Sequence, residues 1–140
     1  MSKIAVVFWS GTGNTEAMAN AVAAGAQEKG AEVTVLGPSD FGAAAVAGYE
    51  GIAFGCPSMG VEQLEEADYQ PMWDEVKGEL NGKKIVLFGS FGWGDGEWMR
   101  TWEEEARGAG AVLAADCLIV NGAPDDEGEA NCKALGAALA

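Results

Sequence analysis

The hydrophobic pattern of the chain switches repeatedly between two periods. Ile4–Phe8 is a continuous apolar run rich in β-branched residues, which suits a strand buried on both faces. Ala17, Met18, Ala21, Val22 and Ala26 then recur at helical spacing, and Gly30 is a natural stop. The switching predicts strands at Lys3–Trp9, Glu32–Leu36, Gly51–Gly55, Lys83–Ser90 and Ala111–Val120, the last without interruption. Between and after them it predicts helices near Asn14–Lys29, Phe41–Val46, Tyr69–Glu79, Glu97–Arg107 and Asp126–Leu139. Pro38-Ser39-Asp40 can cap the short second helix, Pro71 is acceptable in the first turn of the third, and Asn81-Gly82 makes a turn.

Strands that alternate with helices imply parallel strands with helices on both faces, a doubly wound five-stranded α/β sheet. No repeat or linker divides residues 1–140, which reads as a single domain. In such sheets a ligand binds outside the carboxyl ends of the strands, where the strand order reverses. Two topologies are possible for this count, and in the order 2-1-3-4-5 that place lies between the first and third strands. The loops after strands 1, 3 and 4 converge there, and they are the three least ordinary loops in the sequence.

The first loop is Ser10-Gly11-Thr12-Gly13-Asn14-Thr15. Placed between a strand and a helix, it aims backbone N–H groups and the helix N-terminus at one point, an anion site. Ser10, Thr12, Thr15 and Asn14 can add side-chain donors. A nucleoside-triphosphate loop requires a Lys that is missing here. A dinucleotide loop requires a small third residue where Glu16 stands. A phosphatase loop requires a Cys nucleophile after the strand. A hydroxyl-lined loop for a terminal monophosphate remains, beside the plainer reading of a glycine-rich turn that binds nothing.

The other two loops are Cys56-Pro57-Ser58-Met59-Gly60-Val61-Glu62 and Ser90-Phe91-Gly92-Trp93-Gly94-Asp95-Gly96-Glu97-Trp98. Each sets a large polarisable side chain, Met59 or Trp93, beside glycines. A flat aromatic ligand between the two would explain them, through stacking and sulfur–ring contact. Otherwise both tuck into the core.

Composition narrows the function. The formal net charge is −14, with 8 basic and 22 acidic residues, which argues against nucleic acid and anionic membrane and favours partners with basic docking faces. The chain has no His, which removes the commonest general base and makes a zinc site unexpected. Cys56, Cys117 and Cys132 show no CxxC spacing and read as small core or helix residues rather than metal ligands. No apolar run is long enough for a membrane span, and MSKIAVV runs straight into a strand without a leader-cleavage pattern, so a cytoplasmic protein is expected.

The motifs SGTGNTE, CPSMGVE and FGSFGWGDGEWM, with Pro124-Asp125, resemble the short-chain flavodoxins of anaerobic bacteria over essentially the whole chain. The resemblance implies a flavodoxin-like fold carrying flavin mononucleotide (FMN). It also implies a monomeric low-potential one-electron carrier rather than an enzyme. Such a carrier cycles mainly between neutral semiquinone and anionic hydroquinone and shuttles electrons between reductases and oxidoreductases. By position, Ser10, Gly11, Thr12, Gly13, Asn14 and Thr15 would hold the phosphate. Met59 and Trp93 would flank the ring. Gly92, with Ser90, Phe91 and Gly94, would serve its pyrimidine end, and Ser58, Val61 and Asn121 would complete the cofactor contacts. Glu62 would accept from the flavin N3–H, and the Gly60 carbonyl would turn to accept from N5–H after the first electron and a proton arrive.

Acidic residues crowd the loops: Glu62, Glu65, Glu66 and Asp68 on one side, Asp95 and Glu97 on the other, with no Lys or Arg in the three. A desolvated reduced ring would be disfavoured there. Glu103–Glu105 read instead as a solvated face. Two positions depart from the family pattern. Phe91 stands where relatives often carry Tyr, and Val61 follows the switch glycine where a small or polar residue is commoner. An NAD(P)H–quinone reductase on the same fold would need longer loops. A phospho-acceptor domain would need acids after the first strand, where Trp9-Ser10 stands.

Overall fold

The computed structural model describes residues 2–11, 13–59, 63–92 and 94–140. Its strands are β1 (Lys3–Phe8), β2 (Glu32–Leu36), β3 (Gly51–Gly55), β4 (Lys84–Phe91), β5 (Val112–Leu113) and β6 (Leu118–Asn121). Its α-helices are α1 (Asn14–Glu28), α2 (Ala43–Val46), α3 (Tyr69–Val76), α4 (Glu97–Gly108) and α5 (Asp126–Leu139). Every strand pair is parallel, in the order β2-β1-β3-β4, with β5 and β6 sharing the far side of β4. This is the expected order 2-1-3-4-5.

The apolar runs behave as two-faced strands. Ala5, Val7, Ile52, Phe54, Ile85 and Leu87 face a core shared with α3 and α4. Their alternates Ile4, Val6, Ala53, Val86 and Phe88 face a second core shared with α1 and α5. Period-two alternation inside an unbroken apolar run gives this result when both faces are covered.

Three local expectations change. The last strand is interrupted rather than continuous: between the pairs Ile85–Leu113 and Phe88–Leu118, two residues of β4 face the four residues Ala114–Cys117. The outer side of this edge strand has no partner to keep in register, so the extra residues bulge outward at little cost. Pro38–Asp40 form a separate 3-10 turn, and α2 begins at Ala43. Phe41 between them is extended and packs edge-on against Phe54 at 6.2 Å. A distant side chain, Glu75, caps α2 by accepting the Ala43 N–H at 2.7 Å. The third helix stops at Val76, and Lys77–Glu79 tighten into a 3-10 turn.

Candidate functional site

A cleft of about 290 Å³ opens at the carboxyl ends of β1, β3 and β4. Trp9, Gly11 and Asn14 line it from the first loop, Pro57, Ser58 and Met59 from the second, and Ser90, Phe91 and Gly92 from the third, with Gly122 closing one end. The three loops singled out by the sequence do meet. Two larger hollows lie elsewhere, about 330 Å³ beside Lys3 and Tyr49 and about 400 Å³ along the outer face of α4. Neither joins the strand-end loops.

Backbone pairing draws the loops together. Trp9 N–H donates to Gly55 O at 3.1 Å, Cys56 N–H to Phe88 O at 3.1 Å and Ser58 N–H to Ser90 O at 3.0 Å, so the ladder continues past the ends of the strands. Gly89 permits this approach, since a Cβ there would stand 2.2 Å from the Cys56 carbonyl oxygen. The fourth loop is tied in by Ser90 Oγ, which donates to Gly122 O at 2.6 Å, and by Gly122 N–H, which donates to Phe91 O at 2.9 Å.

The first loop has the makings of an anion cradle. Gly13 takes φ 94° at the N-terminus of α1, a left-handed conformation that favours glycine. The Ser10 hydroxyl oxygen accepts from Gly13 N–H at 3.0 Å and Glu16 N–H at 3.3 Å. Thr15, buried in the first turn, accepts Ser90 N–H at 3.4 Å. Both hydroxyl oxygens act as acceptors in these bonds, Ser10 twice and Thr15 once. No Lys or Arg is among the described residues that line the cleft. An anion bound there is held by neutral dipoles.

The residues present fit a polar, planar cofactor. The Ser58 hydroxyl oxygen is buried at the cleft and has no hydrogen-bond partner among the described residues. A buried hydroxyl without a partner costs about 1–3 kcal/mol, so its place in a ligand cleft marks a contact made by the ligand. Trp9, Met59 and Phe91 supply apolar walls beside it.

Of the residues expected at the site, Gly11, Asn14, Ser58, Met59, Ser90, Phe91 and Gly92 line the cleft. Ser10 and Gly13 lie in the same strand-to-helix connection and Thr15 in the first turn of α1, and none of the three is among the lining residues. Gly94 and Asn121 are exposed and are not among the lining residues. Thr12, Gly60, Val61, Glu62 and Trp93 lie outside the described residues. Trp9, Pro57 and Gly122 line the cleft without having been anticipated. The signal for Trp9 was its place at the end of the first strand, immediately before the glycine loop. A Cβ on Gly11 would sit 3.0 Å from its ring, so the ring lies against that loop.

The acidic residues divide into different roles. Glu65 is only 7% exposed and belongs to the backbone rather than to the rim. Its carboxylate accepts N–H groups from Ala67 at 2.8 Å, Asp68 at 2.8 Å and Tyr69 at 2.9 Å, capping α3 from upstream. Burial opposes its ionisation, yet the three N–H donors outweigh burial and hold its carboxyl below the usual range. Met59 and Gln63 exchange backbone hydrogen bonds of 2.8 and 3.0 Å, which clamp these two residues together. The Glu103–Glu105 stretch is less solvated than expected. Glu103 accepts from Arg107 at 2.9 Å and from Cys117 Sγ at 3.2 Å, and Glu105 accepts Trp73 Nε1–H at 3.1 Å.

Burial keeps the cysteines protonated and makes them poor nucleophiles. Burial pushes the Cys56 and Cys117 thiols up to about 12 and the Cys132 thiol to about 11. Among the described residues, no group of three or more His, Cys, Asp or Glu is placed to hold a metal ion. Among those residues, too, no helix is long and apolar enough to cross a membrane.

Comparison with known proteins agrees with this geometry. Residues 6–136 match the family model described as Flavodoxin. The chain is 43% identical to the flavodoxin of Clostridium beijerinckii over 135 residues, covering 96% of this chain and 97% of that one. It is 44% identical to the flavodoxin of Megasphaera elsdenii over 137 residues, covering 98% of each. The solution structure of two-electron reduced Megasphaera elsdenii flavodoxin superposes with a TM-score of 0.88 at 42% identity, covering 97% of both chains.

Proposed function

The chain belongs to the flavodoxin family of FMN-carrying electron-transfer proteins, and on that premise we propose that it is a low-potential one-electron shuttle whose cofactor lies in the cleft between the loops after β1, β3 and β4. The observation that carries this reading is the meeting of those loops at the N-terminus of α1, with the unpartnered Ser58 hydroxyl beside apolar walls. When bound, FMN supplies the redox chemistry, and the chain's residues orient it and set its surroundings.

In this reading the turn Ser10–Thr15 binds the phosphate through backbone N–H groups and hydroxyls. Met59 and Trp93 enclose the ring, and Ser90, Phe91, Gly92 and Gly94 serve its polar end. Glu62 accepts from the ring N3–H, and Val61 and Asn121 complete the surround. The Gly60 carbonyl turns toward the ring when its facing nitrogen is protonated. The Met59–Gln63 clamp supports that role, because a fixed base lets a peptide between its ends rotate alone. One domain spanning residues 1–140 suffices. The partners are reductases and oxidoreductases with basic docking faces, met by a cytoplasmic monomer of net charge −14.

Titration of the purified chain with FMN tests the cofactor site. A yellow one-to-one complex with quenched flavin fluorescence is expected, and a colourless chain that ignores added FMN would overturn the reading. The potential tests Glu62. With no basic residue among the described residues that line the cleft, negative charge beside the ring disfavours the electron that leaves it anionic. Glu62→Gln is expected to raise that potential by tens of mV, since about 59 mV corresponds to roughly 1.4 kcal/mol for one electron. An unchanged potential in a spectroelectrochemical titration would remove Glu62 from this role.

A further inference from the structure

A small cavity of about 120 Å³ opens between α3 and α4, beside the segment that follows β3 and separate from the strand-end cleft. Its floor is apolar: Leu64, Trp98 and Trp102 line it and are buried. Its rim is polar: Gln63, Thr101 and Glu105 are exposed and Gln70 is half-buried. No Lys or Arg is among the described residues that line it. Two contacts tie the cavity to the cofactor cleft. Gln63 exchanges backbone hydrogen bonds with Met59, and the Trp98 ring lies 5.8 Å from that of Phe91 between centroids. Met59 and Phe91 both line the cleft.

The rim supplies acceptors. Gln63 donates an amide N–H to Glu66 Oε2 at 3.3 Å, and Gln70 donates one to Asp74 Oδ1 at 2.9 Å. Each amide keeps its carbonyl oxygen as an acceptor, and Thr101 adds a hydroxyl oxygen. Glu105 takes Trp73 Nε1–H at 3.1 Å and Lys77 at 3.5 Å on the same oxygen, Oε1, so Oε2 can accept a further donor. The carboxylates of Glu66, Asp74 and Glu105 thus stand on the rim or one bond behind it, with the Lys77 ammonium set against them. Lys77 also meets Asp74 at 3.3 Å and keeps that partner when Glu105 turns to a new donor. A visitor with positive charge, several donors and little hydration suits an acidic rim over an apolar floor. An ammonium is compact and strongly hydrated, whereas a guanidinium is planar, weakly hydrated and carries five N–H donors. Size agrees, since a cavity of about 150 Å³ admits benzene and this one admits a single small planar head.

We propose that this cavity seats an arginine side chain of the redox partner and so fixes how the partner sits over the cofactor cleft. Capture of a guanidinium stands on the cavity alone, and its use in electron transfer rests on the reading that FMN lies in the cleft. A chain of net charge −14 attracts any basic protein, and diffuse charge speeds that encounter without choosing one orientation. A desolvated arginine in a shaped pocket is the kind of anchor that does choose one. The cavity is one residue removed from Met59 and from Phe91, so a partner anchored there also faces the cleft.

Titration of the isotope-labelled, FMN-loaded full chain with N-acetyl-arginine amide tests the proposal, read at the indole N–H resonances of Trp98 and Trp102. A saturable shift of both is expected, with millimolar affinity. N-acetyl-lysine amide is expected to bind about fivefold more weakly, and Glu105→Gln to weaken the arginine probe about tenfold. Thr101→Phe, at an exposed position on α4, fills the mouth and is expected to abolish the response. Trp102 Nε1–H has no partner among the described residues, so acetamide, a neutral acceptor, is the control. Acetamide shifts equal to those of the arginine probe would overturn the guanidinium assignment. So would an arginine response unchanged in Thr101→Phe, or no response in the loaded chain. With an NADPH-dependent reductase that reduces the loaded chain, Thr101→Phe is expected to raise the KM for the chain about tenfold, well beyond any fall in kcat. An unchanged KM would overturn the docking role. A chain that takes up no FMN yet gives the arginine response overturns the cofactor reading and upholds the cavity.

Discussion

Gly136→Ala is expected to destabilise the protein by about 3 kcal/mol or more, a large share of the roughly 5–15 kcal/mol that holds a domain of this size together. Gly136 lies within α5, where helix propensity alone would favour Ala by about 1 kcal/mol. Packing reverses that sign. A Cβ at Gly136 would stand 1.9 Å from the carbonyl oxygen of Val22 in α1, and one at Gly25 would stand 2.0 Å from the carbonyl oxygen of Lys133 in α5. Both obstacles are helix backbone and cannot rotate aside as a side chain can. The two helices must part, opening the core that Met18, Val22, Leu135 and Leu139 fill against the sheet. Gly108→Ala is the control. It sits at the end of α4 with nothing within 4 Å of an added Cβ and is expected to change stability by only tenths of a kcal/mol. Urea unfolding of the three variants decides the matter. Gly25→Ala and Gly136→Ala relieve one another, because separating the helices once accommodates both. Their double variant is therefore expected to cost clearly less than the sum. A Gly136→Ala protein as stable as the parent would show that the helices do not touch through this glycine.

Glu65→Ala is expected to cost about 2–3 kcal/mol and to loosen the segment behind Met59. Three N–H donors lose a buried carboxylate, and that of Tyr69, itself buried, has no water to turn to. The pH dependence identifies the cause. The folded state holds the Glu65 carboxyl below its ordinary range, so the unfolded chain binds the proton more readily. The stabilisation is therefore fully present above the unfolded value of about 4.5 and is lost as pH falls through the lower folded value. Glu65→Gln keeps the shape but removes the charge. It is expected to be weaker than the parent at neutral pH by about 1–2 kcal/mol and to approach it below pH 4. Glu103 adds to the acid sensitivity of the parent, since its carboxyl is also lowered, by the Cys117 and Arg107 hydrogen bonds. The difference between parent and Glu65→Gln cancels that common contribution. A gap that stays constant from pH 7 to pH 3 would show that the carboxylate charge is not what caps α3.

Much of this architecture was legible from local pattern. Unbroken β-branched runs at Ile4–Phe8 and Gly51–Gly55 could only be strands covered on both faces, and that is where two cores form. The strand–glycine–helix succession at Ser10–Thr15 makes an anion cradle through its own backbone, so its place followed from a dozen neighbouring residues. Other features escaped the pattern because nothing local encodes them. Glu65 sits among Glu66 and Asp68 and looks like one more rim charge, yet the path of its loop turns it inward onto the first turn of α3. The Ala114–Cys117 bulge differs from its flanks only in small residues and one Asp, which an edge strand also tolerates, and the register against β4 exposes the extra residues.

Composition and periodicity by themselves determined the alternation of elements, the parallel sheet and the use of its carboxyl-end loops, while the strand order came from the family resemblance and the structure. These depend on the spacing of apolar side chains and on the sterics of glycine and proline, which are properties of short segments. The tertiary structure decided what distant segments do to one another. It set Trp9 against the cleft while burying Trp73, Trp98 and Trp102 behind it, and it chose Glu75 to cap α2. It also left the Ser58 hydroxyl without a partner among the described residues. Whether a tryptophan, a carboxylate or a hydroxyl serves core, cap or cofactor depends on which surfaces the fold brings within a few ångströms, and that distance is not a function of sequence separation.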